Sequence, residues 1–205
     1  EDYVIISDCD EIPRVESILR HIDNNTKDVG ILLQDRFMYY LNNKNISTDE
    51  PQLNSRIVSG KVFNDESNTP CAIRYCDIYD KLPYYKINNA GWHFTFMGGK
   101  EKVIEKIKSF AHQEYNTPEK INSDRIKSLI ENNKDVYDCD SRWSIVEIDN
   151  TFPKEVFKNK EKYVLDNWIK QNKEKSKIYD CFMFFNELDI LEIRLEELYD
   201  KVDKF

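Results

Sequence analysis

Short apolar runs alternate along this chain with segments whose apolar residues recur at helical spacing, and this alternation limits the possible folds more than any other feature. Runs of strand length are residues 3–7, "VGILLQ", "RFMYYLN", "RIVSGKVF", "CAIRYCDIY", "RWSIVEID" and "IYDCFMFF". Helical spacing occurs at residues 13–21, 119–132 and 154–172, in "KEKVIEKIKSFAH" and in "ELDILEIRLEELYDKV". Alternating strands and helices predict an α/β domain with a largely parallel sheet in one layer.

Charge and composition exclude several classes of protein. The 205 residues are enough for one α/β domain with a sizeable core. The net charge of −8 argues against nonspecific nucleic-acid binding, because the phosphate backbone attracts basic surfaces. No apolar run is long enough to span a membrane. The five cysteines include no C-x-x-C pair, which argues against a zinc site and a complete disulfide framework. Reduced thiols are therefore predicted.

The stretch "YVIISDCDEIP" ends an apolar strand with Asp8, Asp10 and Glu11. Ligands of α/β sheets gather at the carboxyl ends of strands. A D-x-D pair there offers hard oxygen ligands to Mg²⁺ or Mn²⁺ and leaves positions open for phosphate oxygens. Two other interpretations stay open. The carboxylates favour the positive end of a helix that begins near Pro13, or they belong to a Mg²⁺-dependent phosphotransferase with an aspartyl nucleophile.

A second group of candidate residues lies within residues 88–117. The indole of Trp92 can stack on a sugar, and His93 or His112 can bind a metal or phosphate. Glu114 can act as a general base. The alternatives are that Trp92 belongs to the core and that His112 complements a helix dipole. Arg36 and Arg74 are candidate phosphate contacts, but for both of them surface salt bridges are the favoured prediction.

The segments "DCDEIP", "GWHFTFMGG" and "KIKSFAHQE" together resemble glycosyltransferase family 17, the relatives of β-1,4-mannosyl-glycoprotein 4-β-N-acetylglucosaminyltransferase. Residues 181–205 also resemble this family, where that segment precedes the D-x-D strand. A circular permutant, a junction of tandem copies, or a fragment joined through "KQNKEKSK" would account for this order. The expected division is residues 1–172 as the C-terminal major part of the domain, 173–177 as a linker, and 178–205 as the family's N-terminal strand and helix.

The resemblance implies a GT-A-like fold, a Rossmann-like mixed sheet flanked by helices, in permuted or incomplete form. It implies metal-dependent, inverting transfer of a sugar from a nucleotide donor, UDP-GlcNAc, to a glycan or other hydroxyl acceptor. A non-catalytic sugar- or nucleotide-binding remnant is the alternative, since part of the nucleotide pocket would be missing from an incomplete domain. Animal relatives occupy the Golgi lumen, whereas the missing anchor and the Lys-, Asn- and Ile-rich composition favour the cytoplasm.

The resemblance also implies a metal site. Asp8 and Asp10 are expected to hold Mn²⁺ or Mg²⁺ against the donor diphosphate, directly or through water. Glu11 is expected to complete or tune this shell and to contribute to substrate binding. His112 is the expected third ligand of the metal or of the diphosphate.

The resemblance implies further roles in sugar binding and catalysis. Trp92 and His93 are expected to shape the sugar pocket. Glu114 is the expected base for the acceptor hydroxyl, with Asp77 and Asp80 as weaker candidates. The metal would stabilise the leaving diphosphate while the base deprotonates the nucleophile.

Overall fold

The computed structural model describes residues 2–24, 28–47, 55–66, 68–74, 83–171, 180–182 and 188–199. The chain divides into two compact units, residues 1–170 and 171–205. Each unit is described by itself. The candidate residues 8–114 all belong to the first unit. Two of them, Asp77 and Asp80, lie outside the described residues.

The described strands of the first unit form two sheets. They are β1 (Tyr3–Ile6), β2 (Glu11–Pro13), β3 (Val29–Leu32), β4 (Asp35–Met38), β5 (Asn43–Asn45), β6 (Ser55–Ser59), β7 (Tyr84–Ile87), β8 (Gly91–Thr95) and β9 (Trp143–Ile145). The first sheet has the order β1-β6-β3-β7, and the second has the order β2-β8-β4-β5-β9. The D-x-D segment therefore lies where the chain passes from the first sheet to the second.

Both sheets are mixed. The pairs β3–β7 and β4–β8 are parallel, whereas the other described pairs are antiparallel. The α/β class with mixed sheets flanked by helices is confirmed, but the expectation of a single, largely parallel sheet was wrong. Connection length explains the difference. The chain between Met38 and Asn43, for example, is too short for the crossover that a parallel neighbour needs.

The described helices of the first unit are α1 (Val15–Asn24), α2 (Gly60–Phe63), α3 (Pro70–Arg74), α4 (Gly99–Ser109), α5 (Ser123–Glu131), α6 (Lys154–Lys158) and α7 (Lys160–Leu165). Helix α4 buries Val103 and Ile107, as its periodicity predicts. Helix α1 differs from the prediction, because Val15 and Leu19 are 60% and 54% exposed and only Ile18 of the expected apolar face is buried.

Two predicted strands are partly helical where the structure describes them. Residues 60–63 of "RIVSGKVF" form α2. Residues 71–74 of "CAIRYCDIY" belong to α3. The Thr69 hydroxyl accepts a hydrogen bond from the Ala72 amide at 3.1 Å, and Pro70 occupies the first helical position. This capping chemistry starts a helix and overrides the apolar pattern that suggested a strand.

The first strand is also less buried than its apolar sequence suggests. Strand β1 is an edge strand that pairs with β6, and Ile5 is exposed. The fully buried strands are β3 and β6 at the centre of the first sheet. In the turn that follows β1, Ser7, Asp8 and Cys9 are exposed.

In the second unit, α8 (Leu188–Leu198) confirms the predicted helix. The described part of "IYDCFMFF", Asp180–Phe182, contains no strand, and the rest of that segment lies outside the described residues. Arg194 Nε donates to Asp180 Oδ2 at 2.8 Å. None of the helices in the described ranges combines the length and apolar character needed to cross a membrane.

The Gly91→Ala substitution is expected to destabilise the fold. Gly91 has φ 139°, and a Cβ there would lie 2.1 Å from the Ile12 carbonyl oxygen across the β2–β8 pair. We expect a loss of about 3 kcal/mol in the free energy of unfolding, measured by urea denaturation. Gly99→Ala is the matched control, because Gly99 also has positive φ but no atom within 4 Å, and about 1 kcal/mol is expected. Equal losses would contradict the steric explanation.

Candidate functional site

The acidic segment forms a tight turn between the two sheets. The Glu11 amide donates to the Asp8 carbonyl at 3.1 Å, and the Asp8 amide donates back to Glu11 Oε2 at 3.0 Å. The Phe94 amide donates to the Asp10 carbonyl at 2.8 Å, which joins the turn to β8. These backbone contacts fix the positions from which Asp8 and Asp10 present their carboxylates.

The turn opens into a cleft of about 610 Å³. Its lining residues are Asp8, Cys9, Asp10, Arg36, Met38, His93, Thr95, Lys106, Phe110, Ala111, His112 and Tyr137. This volume is in the range of small-molecule sites. The structure thus brings together four of the predicted site residues, Asp8, Asp10, His93 and His112, from distant parts of the chain.

Asp10 is held by basic groups on the cleft wall. Lys106 Nζ donates to Asp10 Oδ2 at 2.6 Å, and His93 Nε2 lies 3.7 Å from the same oxygen. Burial alone would raise the pKa of Asp10, but His93 and Lys106 outweigh it and hold the pKa of this carboxyl well below its usual range. Asp10 is therefore an anion at neutral pH.

Glu11 lies beneath the turn. It is 2% exposed, and Oε2 accepts from Ser55 Oγ at 2.7 Å and from Arg74 Nη1 at 3.1 Å. Burial would raise the pKa of Glu11, but the Asp8 amide, Arg74 and Ser55 together lower it. Glu11 is not among the cleft-lining residues, and its contacts hold the turn in place.

Neither Arg36 nor Arg74 forms the predicted surface salt bridge. Arg74 is buried and pairs with Asp8 and Glu11. Arg36 pairs with the buried Asp135 at 3.0 Å. Each arginine neutralises a buried carboxylate, because an unpaired buried charge is strongly unfavourable.

Strand β8 divides its side chains between the cleft and the core. His93 and Thr95 line the cleft, whereas Trp92 and Phe94 pack in the core with Phe37. This follows from the two-residue period of a strand. Trp92 therefore lies in the core and does not line the cleft, as the alternative interpretation predicted. The Arg14 guanidinium lies 4.2 Å from the centre of the Trp92 ring.

His112 and Glu114 form a pair in the segment that follows α4. His112 Nδ1 lies 3.0 Å from Glu114 Oε1, and both side chains are well exposed. The amide of Glu114 itself and the His112 contact lower the pKa of the Glu114 carboxyl, although slight burial opposes them. His112 lines the cleft, but Glu114 does not.

The donor set at the turn suits a hard cation with few protein ligands. Asp8 Oδ2 is engaged by Arg74 and Asp10 Oδ2 by Lys106. Among the described residues, no three His, Cys, Asp or Glu side chains form a preassembled metal site, so Asp8, Asp10 and His112 are not grouped in this way. Two carboxylates fit Mg²⁺, which keeps several waters and substrate oxygens in its shell.

Sequence reasoning missed Lys106 and the bridging role of Arg74. Both residues pair with the turn across long separations, 96 residues for Lys106 and 63 for Arg74. The sequence contains 30 Lys and Arg residues. The only available signal was general, since half-buried carboxylates require cationic partners.

Comparison with known proteins gives one family. Residues 141–205, about a third of the chain, match the model of glycosyltransferase family 17, which confirms the predicted resemblance. The match indicates transfer of a glycosyl group in general, and with it a sugar donor and an acceptor. The matched residues do not include the acidic turn or the cleft. No curated protein and no solved structure matches the chain.

The Arg74→Met substitution is expected to lower the free energy of unfolding by about 3 kcal/mol, because it leaves the buried Glu11 without its charged partner. Urea denaturation measures this loss. The double variant Arg74→Met/Glu11→Gln should recover part of it, since both charges are then removed. Arg125→Met, which breaks an exposed pair with Asp138, is the control and should lose no more than about 1 kcal/mol. A loss for Arg74→Met no larger than the control's would disprove the buried network.

Glu11 is expected to make stability pH-dependent in acid. Its pKa in the folded chain lies below the ordinary 4.5, so the unfolded chain binds more protons between the two values. The contribution of Glu11 to the free energy of unfolding is complete above pH 4.5, and it is lost as the pH falls through the pKa of the folded chain. Glu11→Gln should therefore flatten the rise of unfolding free energy with pH below 4.5. Urea titrations over this range measure the slope, with Glu101→Gln on α4 as control, and an unchanged slope would contradict the prediction.

Proposed function

We propose that this chain transfers a sugar from a nucleoside diphosphate donor to a hydroxyl acceptor. The family match supports glycosyl transfer. The observation that carries the proposal further is the presentation of Asp8 and Asp10 at the mouth of one small-molecule cleft. Carboxylate oxygens beside open space are suited to a divalent cation that also binds phosphate oxygens.

Asp8 and Asp10 are the proposed ligands of Mn²⁺ or Mg²⁺. A bound cation would neutralise charge on the leaving diphosphate. Asp10 is ionised at neutral pH, as a ligand must be. His112 is the proposed third ligand, and Glu114 would fix the orientation of its ring through Nδ1.

The proposed donor is UDP-GlcNAc and the proposed outcome is inversion at the anomeric carbon. The acceptor oxygen would attack that carbon as its bond to the diphosphate oxygen breaks. Glu114, which is exposed and pairs with the cleft-lining His112, is the proposed base that takes the hydroxyl proton. His93 is the proposed sugar contact within the cleft. Trp92 packs in the core on the same strand as His93, and its proposed role is to hold this strand of the pocket wall in place.

Calorimetric titration with UDP-GlcNAc, with and without Mn²⁺, tests this proposal together with an assay for released UDP. Metal-dependent binding with turnover on a hydroxyl acceptor is the expected result. Binding without turnover would identify a non-catalytic remnant. Release of phosphate from simple esters without a sugar acceptor would identify a phosphotransferase. Either result would overturn the proposed activity.

The Asp10→Asn substitution is expected to abolish Mn²⁺-dependent transfer while leaving the fold intact. The amide keeps the shape of the side chain but removes the charge that binds the cation. Donor affinity in Mn²⁺ and the rate of transfer are the two readouts. Asp138→Asn is the matched control, since Asp138 also pairs with two basic side chains but lies outside the cleft. Undiminished transfer by Asp10→Asn would remove Asp10 from the proposed mechanism.

A further inference from the structure

Lys106 occupies an unusual position in the cleft. It comes from the last turn of α4, and its ammonium donates to Asp10 Oδ2 at 2.6 Å and to Thr95 Oγ1 at 3.1 Å. The same nitrogen lies 5.0 Å from the centre of the Phe96 ring. Lys106 therefore places a positive charge on the carboxylate that the proposed function assigns to a divalent cation.

The charges around the turn do not favour a diphosphate. Asp8, Asp10 and Glu11 carry three negative charges, whereas Arg74 and Lys106 carry two positive ones. One net negative charge remains beside the cleft. A nucleoside diphosphate would be repelled there unless further positive charge arrives with it. A divalent cation bound at the turn would reverse the sign of this charge, and it would compete there with the basic side chains that already pair with Asp8 and Asp10.

Lys106 is the basic group best able to rearrange. Its side chain is 35% exposed, and it ends in a single ammonium on a flexible stem. Arg74 is held by Asp8 and by both oxygens of Glu11, and Arg36 is held by the buried Asp135. A lysine ammonium can move from one oxygen to another at little cost, because it does not depend on a fixed two-bond geometry. A guanidinium that moves loses the paired hydrogen bonds of its planar fork.

We propose that Lys106 is an exchangeable counter-ion, which holds Asp10 when no divalent cation is bound and moves to the donor diphosphate when one is. This inference rests on the proposed function. Lys106 leaves Asp10 because a second cation on the same carboxylate is repelled. Its ammonium then lies beside the cleft without its carboxylate partner, and phosphate oxygens are the acceptors that the proposed donor brings. The same residue thus opposes cation binding and favours diphosphate binding.

The exchange is tested on the full chain by titrating Mn²⁺ and following free Mn²⁺ by electron paramagnetic resonance. The variants are Lys106→Gln and, as matched control, Lys102→Gln, which removes an exposed lysine one turn earlier on the same helix. Lys106→Gln is expected to bind Mn²⁺ about tenfold more tightly than the unchanged chain, because the competing ammonium is gone. Lys102→Gln is expected to match the unchanged chain.

The second half of the test measures UDP affinity by calorimetry at saturating Mn²⁺. Lys106→Gln is expected to bind UDP about tenfold more weakly, because the diphosphate loses one cationic contact. Opposite shifts in Mn²⁺ and UDP affinity are the signature of exchange. A lysine that only supports the fold would weaken both, and circular dichroism checks that the variant is folded.

Each other outcome has a distinct meaning. Equal Mn²⁺ affinity in the unchanged chain and Lys106→Gln would overturn the exchange, as would unchanged UDP affinity. Absence of Mn²⁺ binding in both proteins would overturn the exchange together with the proposed metal site. The opposite shifts without sugar transfer by the unchanged chain would leave the exchange standing and overturn only the proposed catalysis.

Discussion

The buried carboxylate of Glu11 holds the architecture of the cleft together. It belongs to β2 in the second sheet, but it accepts from Ser55 of β6 in the first sheet and from Arg74 of α3. It also accepts from the Asp8 amide, inside the turn that joins the sheets. A charge with these donors is stable in a low-dielectric interior only while all of them stay in place. The positions of Asp8 and Asp10 therefore depend on a residue that does not itself reach the cleft.

The chemistry of the cleft is organised as ion pairs. The pairs are Asp8 with Arg74, Asp10 with Lys106 and Asp135 with Arg36. Each of these carboxylates therefore has a basic partner. Under the proposed exchange, binding would replace existing partners, which would favour ligands that carry both signs of charge, such as a cation bound to a diphosphate.

The sequence predicted local features well and long-range ones poorly. The apolar run before Asp8 located the acidic turn at a strand end, and the spacing of Val103 and Ile107 located α4, because both signals depend on neighbours along the chain. Sheet direction was missed, since connection lengths decide it and apolar runs do not show where strands pair. Lys106 and Arg74 were missed for a related reason, because pairing over 96 and 63 residues leaves no local pattern.

The alternation along β8 also has a consequence for folding. Trp92 and Phe94 pack in the core, whereas the alternating residues His93 and Thr95 line the cleft. A slip of β8 by one residue against β2 or β4 would turn both aromatic rings toward water and bury an imidazole and a hydroxyl in their place. The misaligned chain would lose apolar burial and gain unsatisfied polar groups at once. Core packing of Trp92 and Phe94 therefore also fixes the register of β8. A chain in which these rings are buried has His93 and Thr95 in the cleft.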